Sequence, residues 1–321
     1  MKFFKLAFLI TLTSCLSPFA PDQSIQKLQS TFNDLKFKEA VILSDSLLKI
    51  YPADNFLYLI KGRSQFNLGQ ADNAIKNINK SISLNPDYLP QYGYRALMLG
   101  SVNKGTKDGI LEDFDKALSN KKLTQNEAIE LILTKIRYFI KIESFEEASS
   151  EIDKVLLVKS NNRDAKILKA KVLFSQEKNN DALLTLNDLI KDDPNNADAY
   201  DMRGFYYLDK QDYLNAFHNF DKLVEIESKK NHSVFKALAF NNRAFCLLKL
   251  GEIQKAFEDV QHSISLYPEN SYAYKNRALI YLEMDEKEKV CEDLERAESL
   301  EFSSRYGDEV TELMGLYCAG S

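Results

Sequence analysis

The chain has 321 residues, 45% of them hydrophobic and 28% charged, and 42 Lys and Arg against 47 Asp and Glu leave a net charge of −5. That balance argues against broad, sequence-independent nucleic-acid binding, which needs a basic face. With only 11 Gly and 7 Pro it is a poor candidate for a turn-rich β fold or a glycine-loop phosphate site, and its four cysteines are too few for a disulfide scaffold. An all-α fold is expected.

Residues 1–14 read MKFFKLAFLITLTS. Lys2 and Lys5 make a positive start, and residues 6–12 form an apolar run too short to cross a bilayer as a helix, which takes ~20 residues. The next step is Leu12-Thr13-Ser14-Cys15, which resembles the bacterial lipobox: Leu, two small residues, then the cysteine that is lipidated. The resemblance implies a lipoprotein signal peptide over 1–14, acyl chains on Cys15, and a lipid-anchored linker over 15–20. Cleavage before Cys15 removes two lysines and takes the charge from −5 to −7. Several acyl chains anchor stably, at ~0.8 kcal/mol per buried methylene, where one does not. Leu16, not Asp, follows the cysteine; by likeness to enterobacterial lipoproteins this favours the outer membrane, facing the periplasm. An ordinary secretory signal is the plainer alternative.

Beyond the linker the chain repeats itself. Ala40 and Ala74 are 34 residues apart, as are Ala148 and Ala182, Ala182 and Ala216, and Pro52 and Pro86. A fixed period of this size marks a stacked array, because one helix pair cannot cover its own apolar faces. Residues 55–88 show the unit plainly: Tyr58, Gly62 and Phe66 on a first helix, then Gly69, then Ala74, Ile78 and Ile82 on a second, then Pro86 as a stop. The small residues Gly62 and Ala74 allow the two helices a close approach.

This pattern resembles the tetratricopeptide repeat family. The repeats fall at 21–54, 55–88, 89–124, 125–162, 163–196, 197–230, 237–270 and 271–302. Tyr200, Arg203 and Gly204 recur as Phe240, Arg243 and Ala244 and as Tyr274, Arg277 and Ala278, and residues 92–96 echo them. The fourth repeat is the weakest: Ile136 replaces the small residue and no proline closes it. The resemblance implies a right-handed α-solenoid of about eight helix pairs whose first helices line a concave groove for partner peptides or helices. The family's groove positions fall here on Phe56, Leu59 and Arg63; on Asp201 and Phe205; on Leu238, Asn241 and Phe245; and on Tyr272, Lys275 and Leu279. Phe66, Phe174, Leu208 and Leu248 occupy positions that serve equally as packing. The Lys and Asn pair with which chaperone-binding members clamp a C-terminal carboxylate is not spelled here.

Two segments break the period, at 102–108 and 228–236, either as binding loops or as tolerated insertions. Residues 303–321 read as a cap and tail, a helix over 305–317 placing Val310, Leu313, Met314 and Tyr317 on one face and Asp308, Glu309 and Glu312 outward. Cys246 takes a core place. Cys291 and Cys318 lie at nearly matched depths of two helices expected to run antiparallel, so they either form a disulfide or are two unrelated small core residues.

The search for chemistry finds little. His218, His232 and His262 have no metal-ligand spacing, no glycine-rich loop follows a strand, and no cofactor signature appears. The expected protein is not an enzyme but an envelope-anchored interaction scaffold that binds protein partners and no nucleic acid. A structural accessory subunit of an outer-membrane or pilus assembly machine, or a glycan-associated binding protein, remain as alternatives.

Overall fold

A computed structural model describes residues 22–230 and 233–318. The lipobox with Cys15, the linker, His232 and the last three residues lie outside the described residues. The chain falls into two units divided inside one helix, at residues 168 and 169.

In the first unit the helices are α1 (Asp22–Asn33), α2 (Phe37–Leu48), α3 (Asn55–Asn67), α4 (Ala71–Leu84), α5 (Pro90–Ser101), α6 (Lys107–Leu118), α7 (Gln125–Lys141) and α8 (Phe145–Val158), followed by α9 (Arg163–Ser175), which crosses the division. From α1 to α8 each helix packs against the next. Leu28, Leu57, Ile60, Ile78 and Met98 form a continuous core with Phe56. A Cβ at Gly62 would lie 3.0 Å from the Ala74 carbonyl oxygen, so the crossing of α3 and α4 leaves no room for one. The weak fourth repeat begins on a capping box, with Thr124 and Glu127 satisfying each other's backbone N–H groups. Its Ile136 is fully buried where other repeats carry a small residue.

The second unit holds α10 (Asn179–Asp192), α11 (Ala197–Asp209), α12 (Tyr213–Ser228), α13 (Ser233–Lys249), α14 (Ile253–Leu266), α15 (Ser271–Glu283) and α16 (Lys287–Ser299). The expected single capping helix is broken in two, α17 (Phe302–Tyr306) and α18 (Glu309–Tyr317). The break falls at Gly307, whose φ of 98° no regular helix accommodates. Val310 is fully buried against α16, but Tyr317 is half exposed. Cys291 of α16 and Cys318 are joined as a disulfide with Cα atoms 5.6 Å apart, and Cys246 is a buried free thiol.

Two devices recur. Seven of the eight turns within pairs are three residues long, and the middle residue is always left-handed: Leu35, Gly69, Glu143, Glu177, Gln211, Gly251 and Asp285. Ala40, Ala74, Ala148, Ala182, Ala216 and Ala256 each follow such a turn, and all are fully buried at the helix crossing. The second device is an arginine staple. Arg95, Arg203, Arg243 and Arg277 lie 5.3–5.5 Å from the ring of the aromatic three residues before them. Arg95, Arg243 and Arg277 grip Asp113, Asp259 and Asp293 with two N–H groups each, at 2.6–2.8 Å. Arg203 donates instead to Asn219, at 2.7 Å. A further N–H reaches back to the preceding pair, from Arg95 to Asn79, from Arg203 to Asn187 and from Arg243 to Asp221. Lys61 and Lys135 make the same backward contact to Asp45 and Asp115, at 2.6 Å each.

Candidate functional site

The residues read as groove positions meet different fates. Phe56 and Leu59 are buried in the core of the first unit. Arg63 is only 6% exposed, its guanidinium held between the rings of Phe32 and Tyr94 at 4.4 and 4.2 Å. In the second unit Asn241 is buried and accepts a hydrogen bond from the Asn276 amide at 3.0 Å. Leu238 and Leu279 are half-buried. Phe245 is half-buried too, with the Lys249 and Lys275 ammoniums 5.4 and 5.5 Å from its ring centre.

The end of the chain occupies part of this surface. Tyr272 packs with Phe302 and Tyr306 at centroid distances of 4.9 and 4.5 Å. Lys275, only 4% exposed, donates to Glu309 of α18 at 2.8 Å. Lys275, read as a groove position, is therefore engaged within the protein, and Glu309, read as facing outward, reaches back to it.

One stretch stays open, on α11. The helix is started by Asn196, whose side-chain oxygen accepts from the Ala199 N–H at 3.1 Å. Gly204 lets Phe220 of α12 come so close that a Cβ would sit 2.7 Å from its ring. Phe205 is turned outward by that packing. It is 46% exposed, resting only an edge on Phe220 at 5.4 Å. Beside it is an open cleft of about 890 Å³ lined by Phe174, Met202, Phe205, Tyr206 and Leu208, with Glu177, Asn179, Asp209 and Lys210 around it. The Phe174 and Tyr206 rings stack at 5.0 Å as one wall.

One helical turn before Phe205, on the same face, stands Asp201. Its carboxylate is half-buried and has no hydrogen bond or ion pair among the described residues. Burial, and then the neighbouring charges of Asp198 and Glu227, push it up to about 7. The nearby cation Lys230 is paired with buried Glu227 at 2.6 Å.

The sequence reading named Asp201 and Phe205 as groove positions but not Met202 and Tyr206, which line the cleft with Phe205. The run Phe205-Tyr206-Tyr207 held a signal: three successive aromatics span ~200° of a helix, so they cannot all face the core. The aspartates of the arginine staples were missed because they stand 16 or 18 residues away on the partner helix. Among the described residues no group of three or more His, Cys, Asp or Glu is placed to hold a metal. The Cys246 thiol is pushed up to about 12 by burial, which removes it from nucleophilic use.

Residues 57–88 match the model of the tetratricopeptide repeat. No curated protein matches the sequence. Among solved structures, yeast Tom70 is similar with a TM-score of 0.70 and 17% identity, covering 94% of this chain and 60% of that one. A structure of the APC/C hetero-tetramer Cut9–Hcn1 is similar with a TM-score of 0.54 and 13% identity, covering 94% of this chain and 49% of that one. The chain thus spans about half to three-fifths of the length of these neighbours. At such identities the likeness is one of fold: an all-α array of consecutively packed helix pairs of the tetratricopeptide type.

Proposed function

We propose that this protein is a non-catalytic interaction scaffold, held in a bacterial envelope by lipid on Cys15 and recruiting protein partners through the first helices of its pairs. The observation that carries the binding part is the face of α11, where exposed Phe205 borders an open aromatic cleft. A buried aromatic anchor of this kind contributes ~2 kcal/mol or more to a protein interface. The neighbour solved as a hetero-tetramer supports the use of this fold in protein assembly. Among the described residues no helix is long and apolar enough to cross a membrane, so the anchor rests on the Leu12–Cys15 motif. Outer-membrane attachment facing the periplasm follows from Leu16 after the cysteine.

Two measurements test the two halves. Cys15→Ser should abolish acyl labelling and release the protein into the soluble periplasmic fraction; an unlabelled wild type, or a variant that still fractionates with membranes, sinks the anchor. A photo-crosslinker at Phe205 should trap partners that Phe205→Ala loses while its helicity and melting are unchanged. If every crosslinked partner survives the substitution, the binding surface lies elsewhere.

A further inference from the structure

We propose that the segment bound at α11 carries a lysine or arginine next to an apolar side chain, the cation pairing with Asp201 and the apolar group entering the cleft beside Phe174, Phe205 and Tyr206. This rests on the scaffold reading and adds the chemistry of the partner.

Asp201 and Phe205 are four residues apart on one helix face, about 6 Å between Cβ atoms, so one short segment spans both. The surroundings are acidic. Asp198 and Glu227 lie near Asp201, and Glu177 and Asp209 border the cleft. Two cations bordering this face have contacts within the protein: Lys230 pairs with Glu227, and Lys210 sits 5.9 Å from the Tyr206 ring centre and 3.8 Å from the Asp209 carboxylate. A half-buried carboxylate with no partner among the described residues is costly to the free protein and is relieved by a cation from outside. A neutral or acidic segment covering the same cleft would strip Asp201 of its remaining water and return nothing. Charge complementarity therefore selects a basic partner, while exposed Phe205 supplies the apolar grip.

Peptides selected from a displayed random library on the full mature chain test this. The expected winners carry Lys or Arg three or four residues from Leu, Ile or Phe. They should bind Asp201→Asn and Phe205→Ala at least about tenfold more weakly, and Asp201→Glu almost normally. Circular dichroism and melting of each variant show that the loss is not one of folding. Winners without a basic residue, or indifferent to Asp201→Asn but dependent on Phe205, overturn the partner chemistry and leave the scaffold reading in place. Recovery of no peptide, or of peptides indifferent to both substitutions, overturns both. Self-association of the chain that Phe205→Ala abolishes would make a second copy the occupant and also overturn the proposal.

Discussion

Asp201 shows how a single residue can set binding against stability. Its carboxyl is pushed up to about 7 in the folded chain from an ordinary value near 3.8, by burial first and the charges of Asp198 and Glu227 second. Between those values the folded protein holds a proton that the unfolded chain has lost, so stability falls as pH rises through that window. Above it the full penalty is present, ~2 kcal/mol after allowing for the solvent that the half-buried carboxyl still meets. Asp201→Asn should raise the urea midpoint at pH 8, change little at pH 4, and flatten the profile between. Lys230, already paired with Glu227, offers no relief. An unaltered pH profile in the variant would mean that Asp201 is well solvated.

At the scale of the element, the turns and the staples decide which pairs are strong. Five of the seven short turns force an ordinary residue into the left-handed region, Leu35, Glu143, Glu177, Gln211 and Asp285. Each costs ~1 kcal/mol relative to glycine, part of which the greater freedom of unfolded glycine takes back. Glu177→Gly and Gln211→Gly, both at exposed positions, should therefore each stabilise by ~0.5 kcal/mol. Gly69→Ala, at φ 78°, should cost ~1 kcal/mol; thermal melts that rank these variants in any other order would contradict the turn geometry. The staples can be measured by a double-mutant cycle. Asp259 is nearly buried beneath Arg243, so Arg243→Met leaves it uncompensated and should cost ~2–3 kcal/mol. Arg243→Met with Asp259→Leu should recover more than half of that; simple additivity would show that the contact is energetically idle. The helix pairs were legible because alanines at a 34-residue spacing need no partner to be recognised. The staples were half legible: the aromatic and arginine share one helix turn, but Asp259 and Asp293 are 16 residues on, and only the closed pair brings them near. The site was least legible where neighbouring repeats intervene. Nothing local to Arg63 says that Phe32 and Tyr94 will enclose it, or that Glu309 will cross to Lys275.

For the molecule as a whole, the cysteines link the hold on its final helix to the proposed compartment. The last helix, α18, is nine residues long, too short to persist alone, and is held by buried Val310, by the Lys275–Glu309 pair and by the Cys291–Cys318 bond. Closing a loop across a sequence separation of 27 stabilises by ~3.5 kcal/mol in the chain-entropy picture, an upper value for a helix that already packs. Such a bond persists only in an oxidising space, which is where the Leu12–Cys15 motif would deliver the chain. Thiol counting on protein purified from membranes, denatured without reductant, tests both ideas together. A mature chain lipidated on Cys15 and bridged from Cys291 to Cys318 should show one thiol, Cys246, reactive only after unfolding because its burial holds it up at about 12. Two thiols with no added acyl mass would mean an intact bridge on an unlipidated Cys15. Three with the acyl mass would mean a lipidated chain with an open bridge, and four would contradict both. Where the bridge is present, Cys318→Ser should lower stability by ~2–3 kcal/mol and expose residues 302–318 to protease before α15 and α16. An unchanged melting temperature and an uncleaved C-terminus would show that Val310 and the Lys275–Glu309 pair hold α18 without it.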